Sequence, residues 1–132
     1  MNAPSSILLI DDDPTWLETL ADCLRHEGLS VRTANRPQLG LALLDRSHAV
    51  GAVVIDFRMP EMDGLELLRQ IRKRQRHVPV LLLSGEEDPA LAARALAEGA
   101  RAFLCKTTAP RVLLSRLRQL LDAPETARAR TA

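Results

Sequence analysis

A chain of 132 residues is long enough for one domain with a real core and too short for two. Its apolar fraction of 46% and charged fraction of 27% are ordinary for a globular protein, and 18 Lys and Arg against 17 Asp and Glu exclude a basic nucleic-acid coat or an acidic solvating tail. Trp16, Phe57 and Phe103 are the whole aromatic complement, too few for the stacking platforms of single-strand binding.

The near-neutral balance hides an asymmetry. Residues 1–66 carry five basic and eleven acidic side chains, and residues 67–132 carry thirteen basic and six acidic. An acidic first half points to a carboxylate cluster within it. Among the cations only Lys73 and Lys106 are Lys; the rest are Arg. Cys23 and Cys105 show no metal-ligand spacing and stand in apolar context, so both read as reduced core residues. No apolar run approaches the ~20 residues of a membrane span. Met1–Ser6 lacks the basic and apolar regions of a signal peptide. The chain therefore reads as cytoplasmic, with no membrane partner.

Along the chain, apolar runs of strand length alternate with segments of helical period. Ile7–Ile10 is a continuous apolar run. Pro14–Glu27 places Trp16, Leu17, Leu20, Ala21 and Leu24 on one face; Asp13 and Pro14 form its start signal and Gly28 its stop. Leu29–Ala34 alternates, as a more exposed strand does. Pro37–Arg46 is helical, with Leu39, Ala42 and Leu43 turned inward. Val50–Ile55 is apolar and β-branched, Leu65–Gln75 is helical, and Val78–Leu83 is a further buried run. Ala90–Glu98 is a helix capped by Asp88 and closed by Gly99, and its five alanines fit simple helix propensity. Ala102–Cys105 and Pro110–Leu121 are the fifth strand and helix.

Five such units with continuous apolar strands predict a parallel sheet covered on both faces. Right-handed crossovers leave few topologies. The fold class is α/β: a five-stranded parallel sheet of order 2-1-3-4-5, doubly wound in the flavodoxin-like manner, with five helices. The domain covers residues 1–122. Residues 123–132 are small, polar and unpatterned, and read as a frayed tail or the start of a linker.

In such a sheet all strand C-termini share one edge, where ligands bind. The first strand runs into Asp11, Asp12 and Asp13, the third into Asp56, the fourth into Ser84 and Gly85, and the fifth into Lys106. Clustered carboxylates raise one another's pKa unless a cation neutralises them. Oxygen-only ligands select a hard cation, Mg²⁺ before Zn²⁺. An ammonium and a hydroxyl beside Mg²⁺ suit a phosphoryl group, and a carboxylate there can act as nucleophile. These residue types imply phosphoryl transfer to a carboxylate and leave open which one.

The segments ILLIDDDP, VVIDFRMPEMDGLELL, VLLLSGEED and EGARAFLCK, in this order and spacing, resemble the receiver domains of two-component response regulators over residues 7 to about 121. The stretch Met59-Pro60-Glu61-Met62-Asp63-Gly64 is the most specific part. The resemblance implies that Asp56 is the phosphoacceptor and takes its phosphoryl group from a histidine kinase or phosphotransfer protein. It implies that Asp12 binds Mg²⁺ directly, Asp11 largely through water, and Arg58 through its backbone carbonyl. Ser84 and Lys106 would hold phosphoryl oxygens. Phe103 would take the aromatic switch position and Gly85 would leave room for the donor. The output would be a changed face of the fourth helix, fifth strand and fifth helix, read by an effector or a second copy. No DNA-binding motif lies within these residues.

Three positions depart from the family pattern. Thr107 stands where Pro is usual, so a trans bond is expected after Lys106. Phe103 lacks the hydroxyl of the common Tyr. Arg58, two residues after the acceptor, is expected to screen the phosphoryl group from water. Elsewhere the plainer readings hold. Asp13 is a helix cap, and Trp16 is core packing that doubles as a fluorescence reporter. His26, His48 and His77 are surface or loop residues. Arg72, Lys73, Arg74 and Arg76 form a solvated helix end rather than a nucleic-acid patch. Two rival functions remain. Asp11-Asp12-Asp13-Pro14-Thr15 also fits the DxDxT nucleophile motif of haloacid-dehalogenase-type phosphatases, with Asp11 attacking, although no acidic pair follows Lys106 before Asp122. The other is a receiver-like module that is never phosphorylated.

Overall fold

The computed structural model describes residues 6–47, 49–75, 77–107 and 110–122. The readings made above for His48, Arg76 and the 123–132 tail lie outside the described residues. The elements are β1 (Ser6–Ile10), α1 (Pro14–His26), β2 (Ser30–Ala34), α2 (Pro37–Arg46), β3 (Val50–Asp56), α3 (Gly64–Arg74), β4 (Val80–Ser84), α4 (Pro89–Ala97), β5 (Ala102–Cys105) and α5 (Pro110–Asp122). All strand pairs are parallel and their order is β2-β1-β3-β4-β5, as expected.

Two apolar layers follow from the two-residue period of the strands. Ile7, Leu9, Val54, Leu81 and Leu83 face α1 and α5, where Leu17, Leu24, Leu113 and Leu117 are buried. Leu8, Ile10, Ile55, Val80 and Leu82 face the other way, toward Leu41 and Leu44 of α2, Leu68 and Ile71 of α3 and Ala95 of α4. The central strands are apolar on both sides because both sides are covered.

Helices α1, α3 and α4 start where a side chain satisfies free backbone N–H groups. Asp13 accepts from the N–H of Thr15 (3.0 Å) and Trp16 (3.2 Å), and Asp88 accepts from Leu91 N–H (3.0 Å). Asp63 caps α3 through Glu66 N–H (2.9 Å). Gly28 and Gly99 have φ of +89° and +105° just past α1 and α4, the left-handed stop that glycine tolerates.

Gly64 has another reason to be glycine. A Cβ there would run into the Leu82 side chain and lie 2.9 Å from the backbone Cα of Phe57. Gly64→Ala is expected to destabilise the protein by about 1–3 kcal/mol, measured by urea unfolding, because a buried backbone cannot step aside as a side chain can.

Three expectations are corrected. In α2 the buried residues are Pro37, Gly40, Leu41 and Leu44, whereas Leu39 and Ala42 are exposed and Leu43 is only half-buried. The helix is turned so that Gly40 packs directly on Ile10, where any side chain would collide. Cys23 is exposed, because it falls between Leu20 and Leu24 on the outer face of α1; Cys105 is half-buried, and both are free thiols. The fourth strand begins at Val80, after Pro79, although Val78 is buried.

The basic end of α3 is solvated as expected at Lys73 and Arg74, but Arg72 is half-buried and turned inward. Arg72 donates to the carbonyls of Val78 (2.6 Å) and Gly99 (2.8 Å), Arg74 pairs with Asp45 (3.0 Å), and Arg69 pairs with Glu98 just past α4 (2.6 Å). Lys73 is exposed. Among the described residues no helix is long and apolar enough to cross a membrane.

Candidate functional site

The C-terminal edge of the sheet brings together residues from four loops. Asp11 follows β1, and its N–H is held by Ala34 of β2 (3.1 Å). Asp56 is the last residue of β3, and the next N–H, from Phe57, bonds Leu83 in β4 (2.8 Å). Lys106 follows β5 and donates its N–H to Ser84 (2.6 Å). The sheet ladder thus carries each functional side chain to the edge on a fixed backbone.

One carboxylate oxygen each from Asp11, Asp12 and Asp56 lie within 4.8 Å of one another. Asp11 and Asp56 are buried, while Asp12 is exposed. Asp11 accepts from Asp13 N–H through Oδ1 (2.9 Å) and from the Lys106 ammonium through Oδ2 (2.8 Å). Lys106 Nζ also lies 3.3 Å from Asp56 Oδ1. Burial, and then the Asp11 charge, push the Asp56 carboxyl up to about 6, although Lys106 pulls the other way. For Lys106, burial favours the neutral amine, but the hydrogen bond to Asp11 and the two carboxylate charges prevail and hold its pKa above the ordinary value. Negative charge therefore exceeds what one ammonium can balance. Such an all-oxygen cluster fits a hard divalent cation, which would remove the remaining repulsion.

Ser84 is buried beside this cluster, with its hydroxyl accepting from Glu86 N–H (3.3 Å). The space at Gly85 is open. Next to Ser84 opens a cleft of about 240 Å³, lined by Phe57, Arg58, Glu86, Leu91 and Arg94 among others. Arg58 is exposed at its rim. Phe103 lies on the neighbouring strand, half-buried against the α2–α3–α4 layer. No described peptide bond is cis, the one after Lys106 included, as Thr107 leads one to expect.

Sequence reasoning places Trp16 in the core rather than in the site. Its ring centroid lies 5.3 Å from Lys106 Nζ. The signal for it in the sequence is its place in the first turn of the helix that begins beside the acids. His26 and His77 are exposed and stand apart from the cluster.

A doubly wound parallel sheet with carboxylates, a hydroxyl and an ammonium at its switch point defines an α/β domain built to handle an anion beside a cation. The chain belongs to the response regulator receiver domain family, whose sequence model matches residues 7–118. It is similar to the response regulator protein TodT of Pseudomonas putida, with 36% identity over 122 residues, 92% of this chain and 53% of that protein. It is 38% identical over 124 residues, 92% of this chain and 26% of the relative, to the C4-dicarboxylate transport transcriptional regulatory protein DctD of Pseudomonas aeruginosa. The chain thus spans about half of the first relative and a quarter of the second. A response regulator receiver domain protein from Clostridium thermocellum superposes with a TM-score of 0.85 at 30% identity, covering 89% of this chain and 94% of that one. The phosphatase and the unphosphorylated-module readings are not favoured. The chain is a receiver domain of the two-component response regulators, a family of phosphorylation-dependent switches.

Proposed function

We propose that Asp56 is the phosphoacceptor of this receiver domain. A carboxylate oxygen of Asp56 attacks the phosphorus of a phosphohistidine on a sensor kinase or phosphotransfer protein. The P–N bond breaks and the electron pair leaves with the imidazole nitrogen. Asp11, Asp12, Asp56 and the backbone carbonyl of Arg58 would hold Mg²⁺, which when bound neutralises carboxylate and phosphoryl charge. Lys106 supplies a second positive charge to the transferred group, and Ser84 a hydroxyl. Asp11 orients Lys106. The observation that carries this reading is the Lys106 ammonium held between two buried carboxylates, 2.8 Å from Asp11 and 3.3 Å from Asp56.

The switch would work through packing. Ser84 drawn toward the phosphoryl group vacates space beside the half-buried Phe103, and the face of α4, β5 and α5 changes. Leu96 on α4 and Val112 on α5 are 50% and 44% exposed there, apolar groups that suit an effector or a second copy. The domain is an acceptor and switch rather than an enzyme with an external substrate. It would act in the cytoplasm, with residues 1–122 as the receiver and 123–132 as a tail or linker. The first test is incubation with acetyl phosphate. One phosphoryl group per chain is expected by intact mass with Mg²⁺ and none with EDTA; labelling that ignores Mg²⁺ would overturn the reading.

Arg58 stands at the rim of the cleft next to Ser84. Its long side chain is expected to hinder water from reaching the phosphorus. Arg58→Asn should shorten the phosphoryl half-life by several-fold, followed by loss of label after the donor is removed. A half-life that is unchanged or longer contradicts this role.

A further inference from the structure

Lys106 is enclosed on three sides, and only two of them are carboxylates. The third is the indole of Trp16, 5.3 Å from Nζ to the ring centroid, within the range of cation–π attraction. We infer that Trp16 is a positioning residue for Lys106, a step that rests on the phosphoacceptor reading of this site.

The geometry forms a closed circuit. Asp11 accepts from Asp13 N–H, Asp13 accepts from Trp16 N–H, the Trp16 ring faces Lys106, and Lys106 donates back to Asp11. The backbone of Trp16 is therefore tied to the same carboxylate that the ammonium binds. From below, Trp16 packs against the α1–α5 layer and borders a small apolar cavity with Leu20, Leu104, Pro110 and Leu113. Its contact with that layer restricts the ring on the inner side. A lysine on a flexible four-carbon stem could otherwise turn toward α1 and water. The ring closes that direction and leaves Asp56 as the open one. When a phosphoryl group forms on Asp56, the ammonium shifts toward it and its place over the ring changes. Trp16 is the only tryptophan in the chain, so its emission reports that shift without interference.

The experiment has an optical and a kinetic arm. In the first, emission of the unphosphorylated wild type is compared with that of Lys106→Met. A changed emission is expected, and identical spectra overturn the contact. In the second, the rate of labelling by phosphoramidate is measured at saturating Mg²⁺. In that reaction the P–N bond breaks, ammonia leaves and an acyl phosphate forms on Asp56. Trp16→Leu should be about twofold to fivefold slower, the size of a partly exposed cation–π contact, while Trp16→Phe keeps the rate within about twofold. Adding Trp16→Leu to Lys106→Met should cause no further loss. An unchanged rate in Trp16→Leu, or an equal loss with and without Lys106, overturns the positioning role. A wild type that takes no label at all overturns the phosphoacceptor reading and this role with it, and the optical arm still decides the contact.

Discussion

Asp56→Asn is expected to make the metal-free protein more stable at pH 7.5, by about 1–3 kcal/mol, while abolishing phosphoryl acceptance. The Asp56 carboxyl is pushed from 3.8 to about 6 in the folded state, by burial first and by Asp11 second. Below pH 3.8 it is protonated in both the folded and the unfolded chain and contributes no difference. Between these values the folded state keeps a proton that the unfolded chain has released. Stability therefore falls as pH rises through roughly 4 to 6 and stays lower above. A shift of about two units is worth at most about 3 kcal/mol. Asn resembles the neutral acid, so the variant should lose this slope. Urea unfolding in EDTA from pH 4 to 8 checks it: the two curves should converge at the acid end, separate between about pH 4 and 6, and stay apart by a constant amount above. Parallel curves throughout would contradict the account. A site that weakens its own fold until a cation arrives is the sign of a carboxylate kept for binding rather than for stability.

Lys106→Met should act in the opposite direction. It removes the single ammonium between Asp11 and Asp56 and leaves two buried carboxylates facing each other. Breaking one partner of a fully buried pair costs about 3–5 kcal/mol. The Lys106 side chain is 21% exposed, which reduces this to about 1–3 kcal/mol at pH 7.5 in EDTA. The loss should shrink on acidification, because protonating Asp56 removes one of the two facing charges. It should also shrink on adding Mg²⁺, whose charge replaces the missing one. The pH at which Asp56 titrates rises above that of the wild type. Phosphoryl acceptance should fall by about a hundredfold, the usual effect of deleting one preorganised charge at a reacting oxyanion. Thermal unfolding with and without Mg²⁺ measures the first effect, and labelling by acetyl phosphate the second. A variant as stable as the wild type in EDTA at pH 7.5 would contradict the arrangement.

The strands and their order were legible because each signal was local and repeated. Continuous apolar runs marked buried strands, and Asp-Pro and Gly marked the ends of α1 and α4. The candidate site followed from one geometric rule, that parallel strands end on one edge. What the sequence hid depends on distance across the fold. The phase of α2 is not legible because Leu39 and Leu43 look as apolar as Leu41 and Leu44. The close approach of Gly40 to Ile10 goes with the face that turns inward. Cys23 looked internal for the same reason, since a small apolar residue next to a buried stripe carries no label of its own. Arg72 resembled its exposed neighbours, yet it bonds two carbonyls from the segments flanking β4 and α4. The ring of Trp16 over Lys106 joins residues ninety positions apart, which no local pattern encodes.

The central claim is that the phosphoryl group sits on Asp56. Its most direct test labels the protein with acetyl phosphate and Mg²⁺, reduces the acyl phosphate with borohydride, and locates the converted residue by peptide mass. Conversion at Asp56 alone, absent in Asp56→Asn, is the predicted result. Conversion at Asp11 would contradict it and restore the phosphatase chemistry that its DxDxT context suggests.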